Sequence, residues 1–264
     1  LTVAHPSPVP VPPPGPELEI ERVLRHASVA RAAADQQGAQ NGELKPPRKR
    51  VEVILECALR LFNQFGVASI STNRISAELG ISPGNVHYHY RSKANLLEAA
   101  FQVMDGELRE VFARPTAVLS VAEFVDWQTN KQRVLWRYRY FFGSLEVVLR
   151  TAPELRIPWL KLQSELVHQL VSTHEYYVQA HLMTAPKPPN TIPQVAQNSL
   201  MLSMSWIRWE FLALDGALPT EQEEREIIHR LVLHHLSFYG PYHTRSQRGS
   251  EMLEHVLREK FPTK

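Results

Sequence analysis

The chain has 264 residues, 44% hydrophobic and 21% charged, with a formal net charge of +2, the balance of a soluble globular protein of one large or two modest domains. That charge is too small to argue nucleic-acid binding by itself, and a single cysteine, Cys57, excludes an intramolecular disulfide and a cysteine-based zinc site. The sequence has no apolar run of about eighteen residues to span a membrane and no charged and apolar leader of the secretory kind, so a reducing, cytoplasmic setting is expected.

Residues 1–16 carry Pro6, Pro8, Pro10, Pro12, Pro13, Pro14 and Pro16, a density that sustains neither helix nor sheet. Residues 1–44 are therefore expected to be a disordered extension outside the folded core. Lys45, Arg48, Lys49 and Arg50 form a basic cluster. Taken alone it fits a solvated linker as well as a patch that attracts phosphates. The spacing of Val51, Ile54, Leu55, Ala58, Leu59, Phe62 and Phe65 predicts an amphipathic helix from Arg48 to Phe65, ended by Gly66. Cys57 reads as a small buried hydrophobe within it.

Ser71 to Lys93 reads S-T-N-R-I-S-A-E-L-G-I-S-P-G-N-V-H-Y-H-Y-R-S-K. Ser71 or Thr72 is placed to cap a first short helix, and Gly80 stands where a helix C-terminus favours a residue that tolerates positive φ. Ser82 is expected to cap a second helix with Pro83 in its first turn. Ile75, Leu79, Ile81 and Val86 supply an apolar seam, and small Ser76 permits close approach. Such a pattern predicts a helix-turn-helix, whose second helix enters the DNA major groove. Its outer side carries Asn85, His87, Tyr88 and His89, side chains suited to phosphate oxygens or base edges. An αα-hairpin in an unrelated bundle is the plainer alternative, and it requires cap, glycine, proline and seam to coincide by chance.

These residues resemble the TetR family of bacterial regulators, whose motif runs I-A-x-x-x-G-V-S-x-G-x-L-Y-x-H-F with a Lys three residues later. The resemblance implies that Thr72 and Asn73 begin the helix that crosses the DNA backbone. It further implies that Ser82, Pro83, Gly84, Asn85, Tyr88 and His89 present the reading surface and that Lys93 opens a fourth helix near a phosphate. His87 replaces the usual tyrosine and Tyr90 the usual phenylalanine.

Ser92 is expected to cap that fourth helix, with Leu96, Leu97, Ala100, Phe101, Met104 and Leu108 as its stripe. In the family this helix links the two domains. A DNA-binding domain is thus placed at 45–112, a helical effector-binding and dimerisation domain at 113–240, and a tail with a possible short helix at 241–264. Within the second domain, helices are predicted at Val121–Lys131, Val134–Arg150, Pro153–Ala180, Gln194–Leu214 and Glu221–Tyr239, with a proline-rich loop from Thr184 to Pro193. The segment R-Y-R-Y-F-F-G-S-L-E-V-V-L-R-T-A-P-E-L resembles one subgroup of the family, with Gly143 and Ser144 in place of an Arg-Asp pair.

No nucleophile elbow, phosphate loop or zinc-protease motif is present. His229, His234 and His235 share a predicted helix at separations that spread them around it, so neither metal nor cofactor is expected. The expectation is an all-α, non-enzymatic, sequence-specific DNA-binding repressor, against the alternative of an all-α enzyme or ligand carrier. The broad apolar surfaces of Gln194–Leu214 (Leu200, Met201, Met204, Trp206, Ile207, Phe211, Leu214) and Glu221–Tyr239 (Ile227, Ile228, Leu231, Leu233, Leu236, Phe238) predict a four-helix homodimer interface on a pseudo-palindromic operator. Trp127, Trp136, Tyr140, Phe141, Trp159, Tyr177 and Trp206 are dense enough to line an effector pocket, with Arg137, Arg139 or His174 to pair an anionic group. A solid aromatic core is the competing reading. The subgroup resemblance implies a small apolar effector, lipid-like or aromatic, with acyl thioesters among the candidates.

Overall fold

A computed structural model describes residues 50–242 and 255–261; the expectations for residues 1–44 lie outside them. The described residues form helices and no strand. In chain order these are α1 (Arg50–Ser69), α2 (Thr72–Glu78), α3 (Pro83–His89), α4 (Lys93–Phe112), α5 (Val121–Arg137), α6 (Arg139–Gly143), α7 (Leu145–Thr151), a 3₁₀ turn (Pro153–Leu155), α8 (Arg156–Gln179), α9 (Ile192–Ala213) and α10 (Glu221–Tyr239).

The first three helices close on Ile54, Ala58, Leu61, Phe62, Val67, Ile75 and Val86, all essentially buried. Leu61 rather than Leu59 points inward, and Phe65 is left 41% exposed beneath the Arg74 guanidinium. The chain turns at Gly66, whose φ of 74° breaks the helix there, so that Val67 and Ile70 take up the core positions beyond it.

Helix α4 packs against α1 on one side and against α5 and α8 on the other, so one helix belongs to two cores. The predicted helix Val134–Arg150 is divided in three. α5 runs unbroken to Arg137, the chain bends at Tyr138 (φ −104°, ψ 28°) and bends again at Ser144 (φ −135°, ψ 35°). Neither break falls at a proline or at a positive-φ glycine. Gly143 has a different use: a Cβ there would lie 2.2 Å from a ring carbon of Phe211, so its absence lets α6 lie directly on α9. Capping boxes at Ser120, Thr191 and Thr220 start α5, α9 and α10, and α10 has the predicted bounds. Residues 255–260 are helical; Phe261 stacks on His229, and Lys260 pairs with Asp126.

Candidate nucleic-acid interface

The turn between α2 and α3 is a Schellman motif. Ile81 N–H donates to the Ser76 carbonyl at 3.0 Å and Gly80 N–H to that of Ala77 at 3.2 Å. Gly80 holds φ 63° at no steric cost. Ser71 caps α2, its Oγ accepting from Arg74 N–H at 3.2 Å, and Ser76 Oγ–H donates to the Asn73 carbonyl at 2.8 Å. Ser82 departs from expectation. It occupies the cap position of α3, but its Oγ makes no bond to the helix backbone and instead accepts from Asn85 Nδ2 at 3.1 Å. The Asn85 side-chain amide, one turn on, takes the hydroxyl oxygen in place of a backbone N–H.

Val86 alone of α3 is buried, and Tyr90 just after it closes the core with its hydroxyl 3.4 Å from the Val51 carbonyl. Pro83, Gly84, Asn85, His87 and Tyr88 are exposed, Tyr88 by 83%, and His89 is half-buried with its ring edge-on to Tyr88. Thr72 is half-buried and Asn73 exposed at the start of α2. The helix thus presents a polar, aromatic face that no other described residue covers. Lys93 is drawn inward. Its Nζ donates to the Val67 carbonyl at 2.9 Å and approaches that of Ala68 at 3.5 Å, strapping the start of α4 to the end of α1, and burial lowers its pKa.

The residues expected around an effector do not converge on one place. Tyr140, Phe141 and Trp159 join an aromatic cluster with the DNA-binding half, with Phe62–Tyr140 at 5.5 Å, Phe101–Phe141 at 5.7 Å and Phe141–Trp159 at 5.1 Å between ring centroids. Trp136 is buried under the Arg139 guanidinium, which also donates to the Trp136 carbonyl at 3.2 Å. Arg137 pairs with both carboxylate oxygens of Glu107 on α4, at 2.8 and 2.9 Å, and so is occupied as a strut between α4 and α5. Trp206 is half-buried, stacked on His234 at 3.6 Å. Only Trp127, His174 and Tyr177 adjoin a second, more polar interior.

Two residues that sequence reasoning passed over join the halves. Asn63 on α1 is buried. Its Nδ2 donates to the Arg137 carbonyl at 2.7 Å and its Oδ1 accepts from Tyr140 N–H at 3.0 Å, the two backbone groups freed by the bend at Tyr138. Lys131, on α5, is only 1% exposed, with its Nζ 3.6 Å above the Trp127 ring and 5.5 Å from that of Phe112 at the end of α4. For Asn63 the detectable signal was a polar residue within an apolar helix stripe; Lys131, among polar neighbours on its helix, gave none.

A capped helix-turn-helix carried by one long helix into an all-α second domain defines a DNA-binding regulator of two-domain construction. Comparison with known proteins agrees: a family model described as "Bacterial transcriptional repressor" matches residues 103–250, more than half of the chain, and one described as "Bacterial regulatory proteins, tetR family" matches residues 54–100. The chain belongs to the TetR family; it is a DNA-binding transcriptional regulator.

Over 58 residues it is 33% identical to the HTH-type transcriptional regulator AcrR of Shigella flexneri, covering 22% of this chain and 27% of that one. Over 54 residues it is 43% identical to an HTH-type transcriptional regulator of Staphylococcus aureus strain USA300, covering 20% and 28%. The chain thus spans little more than a quarter of the length of these curated relatives. A solved TetR-family regulator from Marinobacter aquaeolei VT8 superposes with a TM-score of 0.67 at 24% identity, over 79% of this chain and 99% of that one. The regulatory protein TetR from Rhodobacter sphaeroides gives 0.54 at 14% identity, over 72% and 97%. These likenesses show the fold. Among the described residues no helix is long and apolar enough to cross a membrane.

Proposed function

We propose that the protein is a repressor that binds a pseudo-palindromic operator as a homodimer and changes its operator affinity when a small, largely apolar effector enters the second domain. The observation that carries the reading is α4. It begins beside the reading helix, where Lys93 ties it to α1, and ends in the second domain, where Glu107, Val111 and Phe112 meet Arg137, Trp127 and Lys131. A change in how α5 is held therefore bears on the helix that positions α3.

The dimer rests on an outward apolar face. Met201, Trp209 and Leu212 line one side of α9, with Trp209 68% exposed, and Leu233 stands on neighbouring α10. A bidentate Arg230–Glu210 pair, at 2.7 and 2.9 Å, locks the two helices together beneath them. A second copy across a two-fold axis covers this face and sets two α3 helices about one DNA turn apart. Sedimentation at micromolar concentration, with and without operator DNA, tests the assembly. A dimer in both, two chains per operator, supports it; a monomer that binds DNA singly contradicts it.

A further inference from the structure

The second domain holds a buried polar cluster that its own packing leaves incomplete. Of the residues α5 turns inward, Gln128, Thr129, Lys131 and Gln132 are polar. Across from them lie Thr173, His174 and Tyr177 of α8, Ser199 and Ser203 of α9, and His235 and Tyr239 of α10. Gln132 Nε2 donates to Ser203 Oγ at 3.4 Å, and Ser203 Oγ lies 3.1 Å from His235 Nδ1. The serine hydroxyl has one proton and two acceptor positions, and in one of its two arrangements it donates that proton to Nδ1. His235 is then the tautomer that carries hydrogen on Nε2. That nitrogen is fully buried and has no hydrogen-bond partner, and neither have Gln128 Oε1, Gln132 Oε1 and Tyr177 Oη. Buried polar groups are as a rule partnered.

The charge of the cluster is also unmatched. Lysine is almost never fully buried without a counter-charge. Here the titratable neighbours that act on His235 are Lys131 and His174, both basic groups and neither a carboxylate. Burial alone lowers Lys131 to about 7, with no carboxylate offsetting it. The rings of Trp127 and Phe112 hold the ammonium by their faces, an attraction that does not neutralise it. Beside the cluster lies an apolar group formed by Tyr177, Met183, Val195 and Tyr239 with Phe124 packed on it.

We infer that this interior takes an apolar molecule bearing one carboxylate, seated between Lys131 Nζ and His235 Nε2–H, with its tail toward Tyr177 and Met183. The inference rests on the reading that the second domain accepts an effector, and it names the class. One lysine matches a single negative charge. A dianionic phosphate would leave one buried charge uncompensated, which is strongly unfavourable. Ordered water could complete the hydrogen bonds but leaves the lysine unpaired. A carboxylate drawing Lys131 toward His235 also takes it off Phe112, the last residue of α4, and so reaches the helix that carries the reading head.

Sodium decanoate and sodium cinnamate serve as probes, each against its primary amide, which is nearly isosteric and uncharged. Calorimetric titration and thermal melting of the full chain are expected to show binding and a raised Tm for at least one acid and not for its amide. Lys131→Met is expected to melt no lower than the wild type when ligand-free, because it removes an unpaired buried charge, and to bind the acid at least about tenfold more weakly. The inference is overturned if neither acid binds, if an amide binds as well as its acid, or if the variant keeps the acid's affinity. The acid-against-amide comparison is made on the wild type, so it decides the matter even should the variant not fold. Operator binding measured alongside keeps the two readings apart. An acid that binds without altering operator affinity supports the site and removes effector control, whereas absent DNA binding counts against the regulator whatever the probes do.

Discussion

The two cores of this protein are built on opposite terms. Around Ile75 and Val86 the buried side chains are apolar, and Ser76 has its hydroxyl bonded. The cap and turn of α2 are complete. Around His235 the buried side chains are largely polar, and several of their atoms lack partners. A reading head must keep one shape, so its core is the kind that packs to a single answer. A regulatory domain must change its free energy when something enters, and incomplete polar groups are how an interior keeps that possibility open.

The contrast can be broken most severely at Phe62, fully buried and in contact with Tyr140 of the other half. Phe62→Ala is expected to cost about 4 kcal/mol, read as a lower urea midpoint for the whole chain. Trp127→Ala, which removes a half-buried ring from the polar interior, is expected to cost less; equal losses would mean that the two cores do not differ in kind.

Acid sharpens the comparison, because it acts on the second core. His174 is lowered to about 4 from its ordinary 6.5, chiefly by burial and further by Lys131. Between those values the unfolded chain binds the proton and the folded one does not, so stability falls as pH drops from 6.5 toward 4. On the order of 2 kcal/mol is expected to be lost from this group between pH 7 and 5, and His235, also lowered by burial, adds in the same direction. His174→Gln should flatten the loss when urea midpoints are compared at the two pH values; an unchanged slope would assign the loss elsewhere.

Asn63→Ala is expected to cost about 2 kcal/mol, since it leaves the Arg137 carbonyl and Tyr140 N–H without their partner. It should also weaken the effect of a bound ligand on operator affinity while leaving ligand affinity in place, by titration of each. Lys93→Ala carries the smallest effect, about 1 kcal/mol from the lost strap to Val67 and Ala68, seen as a modest fall in Tm. If Lys93 also meets a phosphate, its loss weakens binding to all DNA alike and reduces the salt slope by about one.

The reading head was legible because its signals are local. Ser71, Gly80 and Pro83 each act within a few residues, and the seam lies inside one short stretch. The start of α10 is local in the same way, since Thr220 and Glu223 form its capping box. The interior was not. Lys131 looks like any solvated lysine until α8, α9 and α10 are folded around it, and Asn63 looks like a flaw in an apolar stripe until Tyr138 bends. The aromatic residues were found, but composition could not separate Tyr140, Phe141 and Trp159, which pack on one another, from Trp127 and Tyr177 beside the polar interior. Arg137 was read as a ligand partner, because Glu107 lies thirty positions away in sequence and its approach is a tertiary event.

The central claim is that the exposed face of α3 reads DNA sequence, and discrimination is its direct measure. Fragments upstream of the protein's own gene and random duplexes of equal length are titrated with wild type and with the Asn85→Ala/Tyr88→Ala variant across a salt series. The wild type is expected to prefer one upstream fragment, with affinity for both kinds of DNA falling as salt rises. The variant is expected to keep its Tm and its salt dependence and to lose the preference. No binding to any fragment at low salt, or a preference untouched by removing both side chains, would contradict the account.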